Sequence, residues 1–189
     1  MNNIKILISD SNEQSRKVIH AILARKGYKI YQSSDGAGTI RICRSIFPDL
    51  VIIDTNLLGI NPYETARIIE DNKLSNVIFV TSSPSREFYE NLKNMNIFTY
   101  ITKPISPEQL YSIVEFSIAN INKINFLEKK IEKLENTLDG RKKVDKAKGI
   151  LMKKYNITED EAYKLLRKSS MNECIAIEKI AEKVIKQMG

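Results

Sequence analysis

Five short apolar runs recur along the first 105 residues, at Ile4 to Ile8, Tyr28 to Gln32, Leu50 to Ile53, Val77 to Val80 and Phe98 to Ile101. Amphipathic stretches of roughly 10 to 15 residues with helical period lie between them. Runs without polar alternation belong to strands covered on both faces, and their regular exchange with helices is the pattern of repeated βαβ units. The expected fold is therefore α/β, a doubly wound, five-stranded parallel sheet with helices on both faces.

In such a sheet, chemistry gathers at the carboxyl ends of the strands, where the strand order reverses. The residues just past those ends are Asp10 and Ser11, Asp54, Thr81 and Ser82, and Lys103 before Pro104. A carboxylate at a strand tip can attack a phosphoryl group if a metal and a cation neutralise the transferring oxygens. Mg2+ takes oxygen ligands, commonly one or two carboxylates completed by water and phosphate. Asp10, Asp54 and the backbone carbonyl of Asn56 are the candidate ligands. Lys103 is placed to pair with one phosphoryl oxygen and Thr81 to hydrogen-bond another.

From Pro107 a helical pattern runs to Gly140, and its second half carries Ile124, Leu127, Ile131, Leu134 and Leu138 at alternating steps of three and four. That heptad stripe reads as a parallel coiled coil over 120–140, with a homodimer formed through 120–138, or as one long helix packing within its own chain. Asp139-Gly140 is expected to break or bend the helix. A basic helix from Arg141 to Lys154 follows, then a helix opened by the capping box Thr158-Glu159-Asp160-Glu161 and ending near Lys168. A third is expected with Asn172 as N-cap and with Ile177, Ile180, Ala181, Val184 and Met188 on one face. The organisation expected is a first domain over 1–119, a linker over 120–140 and a small three-helix bundle over 141–189.

Charge is shared unevenly between these parts. Residues 1 to 119 hold 13 Lys/Arg against 12 Asp/Glu, a net of +1, while the remainder holds 17 against 11, a net of +6. An anionic partner is expected at the C-terminal part, nucleic acid first and a membrane surface second. No stretch approaches the ~18 apolar residues of a membrane span, so a soluble, cytoplasmic protein is expected. Cys43 and Cys174 lie far apart and His20 stands alone within a helical pattern, so there is neither a zinc site nor a nucleophile triad. Both cysteines are expected to be small buried hydrophobes, and an enzyme of metabolism is the least favoured class.

Over residues 1 to about 120 the chain resembles the receiver domain of two-component response regulators. The matching pieces are residues 6–12 (ILISDSN), Gly27, Asp35-Gly36, residues 48–54 (PDLVIID), Val80-Thr81-Ser82 and residues 100–104 (YITKP). The resemblance implies a flavodoxin-like sheet, Asp54 as phosphoacceptor, Thr81 as switch hydroxyl, Tyr100 as rotating switch aromatic and Lys103 as phosphate partner. It further implies a histidine kinase as donor and a cis bond before Pro104. Where the family has two adjacent acids after the first strand, this chain has Asp10 and Ser11, so weakened Mg2+ binding is expected. The loop after Asp54 also departs, with Leu57-Leu58-Gly59 and Asn61-Pro62. A receiver-shaped domain governed by protein contacts without phosphorylation stays open beside the phosphorylated switch.

Residues 141 to 186 resemble the ANTAR domain, an RNA-binding antiterminator module. The match is carried by Arg141, by residues 147–152 (AKGILM), by residues 158–163 (TEDEAY), by residues 166–171 (LRKSSM) and by Ile180-Ala181. The resemblance implies binding of hairpins in a nascent leader transcript, and two hairpins would suit a dimer. The residues expected at RNA are Arg141, Lys142, Lys146, Lys148, Lys153, Tyr163 and Arg167, with Lys148 and Arg167 foremost. Tyr163 reads equally as core or as a stacking platform. Gly149 is expected to permit close approach of another backbone. A DNA-binding transcription factor and a protein-binding adaptor are the rival classes.

Overall fold

The structure, a computed structural model, describes residues 4–95, 97 and 99–188. The chain divides into two compact units, Met1–Lys123 and Ile124–Gly189.

In the first unit five strands form one sheet: β1 (Lys5–Ser9), β2 (Lys29–Ser33), β3 (Leu50–Asp54), β4 (Asn76–Thr81) and β5 (Tyr100–Thr102). Its order is β2-β1-β3-β4-β5 and every neighbouring pair is parallel. Each expected run supplies a strand within a residue or two. Phe98, expected in the fifth, lies outside the described residues. Between the strands stand α1 (Glu13–Ala24), α2 (Gly36–Ile46), α3 (Pro62–Asp71) and α4 (Arg86–Lys93).

The missing polar alternation has its cause in two apolar layers. Leu7, Val51, Ile53 and Phe79 pack with Cys43, Ala66, Ile69, Phe88 and Leu92 on one face. Ile6, Ile8, Leu50, Ile52, Ile78 and Val80 pack with Ile19, Leu23, Leu110 and Val114 on the other. Every residue of β3 is buried, so each of its apolar side chains contributes roughly 1.5–3 kcal/mol of burial.

Capping fixes where each helix leaves the carboxyl edge. The Asn12 side chain accepts from Ser15 N at 3.0 Å, Asp35 from Gly38 N at 2.7 Å, and Asn61 from Tyr63 N at 2.8 Å with Pro62 in the first helical turn. The register Ser9↔Ile53 and Asp54↔Val80 then sets Asp10 beside Asp54 and Thr81 one step beyond.

The second unit is built from residues 124–155 of α5 (Pro107–Tyr155), α6 (Glu159–Glu173) and α7 (Ile177–Met188). Val144, Ala147 and Leu151 of α5 bury against Ala162 and Leu166 of α6 and Ile180 and Ala181 of α7. The Thr158 capping box forms as expected, with the Glu161 carboxylate accepting from Thr158 N at 2.8 Å.

Four local expectations are corrected. Asp139-Gly140 does not interrupt the helix; α5 is continuous through it. Gly140 is buried, and a Cβ there would come within 2.7 Å of Glu178 Cγ, so the glycine serves a close crossing with α7. Second, α6 runs past Lys168 to Glu173, and Asn172 lies inside it instead of capping α7. The helix stops at Cys174, in the left-handed region at φ 55, where Ile175 N donates to Ser170 O and Ser170 Oγ donates to Ile175 O. Third, that conformation leaves Cys174 exposed, whereas Cys43 is buried as expected. Fourth, among the described residues Gly149 admits no neighbouring backbone, since a Cβ there would meet nothing within 4 Å. The side chain of Met188 lies outside the described residues.

Candidate functional site

Asp54 closes β3, and the turn that follows bends its own backbone over the carboxylate: Asn56 N donates to Asp54 Oδ1 at 2.7 Å. Asp10 repeats the arrangement, with Asn12 N donating to its Oδ1 at 2.8 Å and Arg16 Nη1 donating to its backbone carbonyl at 2.5 Å. Both side chains are nearly inaccessible, 2% exposed for Asp54 and 5% for Asp10.

Two buried anions side by side need a cation, and Lys103 supplies it. Its Nζ lies 2.5 Å from Asp54 Oδ2 and 3.1 Å from Asp10 Oδ2. Lys103 N donates to Thr81 O at 2.8 Å, and the Lys103–Pro104 peptide is cis, as expected. Burial lowers the Lys103 pKa, but hydrogen bonds and charge from Asp54 and Asp10 outweigh it, and the net direction is upward. Thr81 is buried at the end of β4, and its Oγ1 accepts from Ser83 N at 3.4 Å.

A divalent cation would find the carboxylates of Asp10 and Asp54 here. Hard oxygen donors of this kind suit Mg2+ with water completing the shell. Among the described residues no cluster of three or more His, Cys, Asp or Glu side chains could hold a metal. Ser11 is engaged elsewhere: its hydroxyl donates to Ser34 O at 3.0 Å and accepts from Leu58 N at 2.7 Å. It ties together the loops after β1, β2 and β3.

Tyr100 is half-buried on β5, and its hydroxyl meets that of Tyr89 of α4 at 3.1 Å. Phe88 stacks edge-on against both rings. Tyr89 was not among the residues expected to matter. An aromatic pair in a short amphipathic helix reads as core, and only the fold brings it to Tyr100.

In the second unit Arg141, Lys142, Lys146 and Lys153 of α5 are exposed, as are Tyr163 and Arg167 of α6. Lys142 Nζ lies 3.8 Å from Asp139 Oδ1. Lys148 differs, being ion-paired to Asp145 at 2.7 Å and to Glu159 at 2.6 Å, with its side chain 15% exposed. It links α5 to the first turn of α6. Tyr163 stands 41% exposed, outside the bundle core. The apolar stripe remains uncovered within the chain: Ile124, Leu127, Ile131, Leu134 and Leu138 are each 45–61% exposed.

Comparison with known proteins agrees with this geometry. The model of the response regulator receiver domain matches residues 6–115, and that of the ANTAR domain matches residues 132–185. The transcriptional regulatory protein PdtaR of Mycobacterium tuberculosis is 26% identical over 98% of this chain and 91% of its own length. Among solved structures, the signal receiver domain of a modulated diguanylate cyclase from Desulfovibrio desulfuricans G20 is 25% identical. That match covers 62% of this chain and 95% of the other, with a TM-score of 0.59. A CheY-like receiver domain protein from Methanospirillum hungatei JF-1 shares the fold at 21% identity, with a TM-score of 0.60 over 64% of this chain and 97% of that one. Among the described residues no helix is long and apolar enough to cross a membrane.

Proposed function

From the premise that this chain belongs to the response regulator receiver family and carries an ANTAR domain behind the receiver, we propose a transcription antiterminator switched by phosphorylation of Asp54. The observation that carries the reading is the Lys103 ammonium set between two buried carboxylates at the carboxyl edge of the sheet.

A carboxylate oxygen of Asp54 attacks the phosphorus of a phosphohistidine on a partner kinase. The P–N bond breaks as the O–P bond forms, and the freed imidazole nitrogen takes a proton from solvent. Asp10, Asp54 and Asn56 would hold Mg2+, which when bound neutralises phosphoryl charge. Lys103 exchanges its carboxylate partners for a phosphoryl oxygen, and Thr81 turns its hydroxyl toward another. Tyr100 follows Thr81 inward, leaving Tyr89.

In the second module Arg141, Lys142, Lys146, Lys153, Tyr163 and Arg167 supply cations and stacking surface for hairpins in a nascent leader transcript. Lys148 supports that surface from within through Asp145 and Glu159. Two copies associate through the apolar stripe in 120–138, and the receiver's state governs that pairing. The proposed boundaries are a receiver over 1–119, a coiled-coil linker over 120–140 and an RNA-binding module over 141–189, in a cytoplasmic protein.

The test is incubation with a small phosphodonor and Mg2+, followed by intact mass, sizing and gel shift with leader hairpins. The expected result is an added phosphoryl mass on wild type and none on Asp54→Asn, together with dimers and RNA binding. One observation favours a second reading, a receiver governed by protein contacts: the Ser11 hydroxyl is committed to Ser34 and Leu58. Absence of added mass with RNA binding intact would select it.

A further inference from the structure

The fold accounts for one of the two glycines within residues 124–155 of α5 and leaves the other without a role. A Cβ on Gly140 would meet Glu178, whereas a Cβ on Gly149 would meet nothing within 4 Å among the described residues. Glycine is a poorer helix former than alanine, so in empty space it weakens α5 with no gain inside the chain.

Its position on the helix supplies a reason. An α-helix advances about 100° per residue, which puts Ile124, Leu127, Ile131, Leu134 and Leu138 on one stripe and Gly149 within about 20° of the centre of that stripe. Lys142, Lys153 and Lys146 follow within about 40°, 60° and 80° on the same side. All three are exposed, and among the described residues Lys146 and Lys153 make no ion pair. Asp145 shares this side but is paired with Lys148. The residues that pack on α6 and α7, namely Val144, Ala147 and Leu151, lie on the far side of the helix.

We infer that this cationic stripe around Gly149 receives the phosphodiester backbone of RNA, the absent Cβ letting a phosphate reach the surface of the helix. The inference rests on the RNA-binding reading above. It deepens that reading in one respect: pairing through the apolar residues turns the stripes of two copies toward a single RNA. Facing lysines repel until a polyanion lies between them, so RNA binding and self-association reinforce each other.

The test uses the full chain, a fluorescent RNA hairpin pool with a degenerate loop, and light scattering for self-association. Gly149→Ala is expected to raise the melting temperature while weakening hairpin binding at least tenfold, with self-association in the absence of RNA unchanged. Gly149→Leu is expected to weaken binding further; if it misfolds, the alanine variant alone decides. A variant with Lys142, Lys146 and Lys153 all changed to Ala separates the two levels. Should it lose hairpin binding while both glycine variants keep wild-type affinity, the RNA reading stands and the role of Gly149 is overturned. Wild-type protein that binds no hairpin overturns both. A change in self-association of Gly149→Leu without RNA would mean that this face holds a second copy, and that too overturns the proposal.

Discussion

Tyr100 of β5 and Tyr89 of α4 touch through their hydroxyls at 3.1 Å, so the aromatic that the receiver resemblance marks as the switch is held by a partner on the neighbouring helix. The hydrogen bond to Tyr100, and then burial, raise the Tyr89 pKa above the ordinary phenol value. An acid raised in the folded state stabilises the fold fully below its unfolded pKa, near 10, and loses that contribution as pH climbs through the folded value. Burial also raises Tyr28 and Tyr63, so spectrophotometric titration at alkaline pH should find one fewer late phenol in Tyr100→Phe than in wild type, the Tyr89 phenol returning to the ordinary range. An unchanged titration would remove the bond from the account.

Lys103 ion-pairs with Asp10 and Asp54 at once. Lys103→Met should lower stability at pH 7 by about 1–2 kcal/mol, below the 3–5 of a fully buried pair because its side chain is a quarter exposed. In wild type the raised Lys103 pKa gives a contribution complete below the unfolded pKa of 10.5 and lost as pH rises through the folded value. Urea titrations of both proteins between pH 7 and pH 11 should show the gap narrowing at the alkaline end.

Ser11 offers a separate handle on the metal. Ser11→Asp should tighten Mg2+ binding at least tenfold by restoring a carboxylate ligand, measured by calorimetry on the unphosphorylated protein. Ser11→Ala should leave Mg2+ affinity unchanged and cost about 1 kcal/mol, the net worth of its loop hydrogen bonds. Equal Mg2+ affinity in all three proteins would exclude this position from the ligand set.

The two cysteines should differ sharply toward thiol reagents. Burial pushes the Cys43 thiol up to about 12, while Cys174 is exposed at the end of α6. The folded state thus favours the neutral Cys43 thiol, a contribution complete below the unfolded thiol pKa and lost as pH rises toward 12. One thiol per chain should react with a disulfide reagent at pH 8 in native protein and two in denaturant. Two fast thiols in the native protein would contradict the packing of α2.

Gly140→Ala sets helix propensity, a gain of about 1 kcal/mol, against a Cβ 2.7 Å from Glu178 Cγ. Overpacking of that kind costs about 1–3 kcal/mol, so the single variant should melt lower than wild type. Adding Glu178→Ala should recover the loss and leave the propensity gain visible as a higher melting temperature. Additive effects in this double-mutant cycle would mean that the two residues do not meet.

Most of the first unit was legible because its strands are buried on both faces, which writes them as unbroken apolar runs such as Leu50 to Ile53. Asp10, Asp54, Thr81 and Lys103 were legible for the same reason, each standing one or two residues past such a run. What stayed hidden depends on partners distant in the sequence. Gly140 reads as a breaker until Glu178 is seen across from it, Cys174 ends a helix without the usual glycine, and Lys148 reads as a free cation until Asp145 and Glu159 enclose it. Tyr89 carries no local mark at all.

The unbroken course of α5 through Gly140 makes spacing a matter of screw phase. One residue inserted after Leu138 would leave the crossing of Gly140 with Glu178 in place, yet turn Ile124 through Leu138 by about 100° away from the side that Gly149 faces. Seven inserted residues would bring that alignment back to within about 20°. Relatives that differ in length at this point should therefore do so in whole heptads.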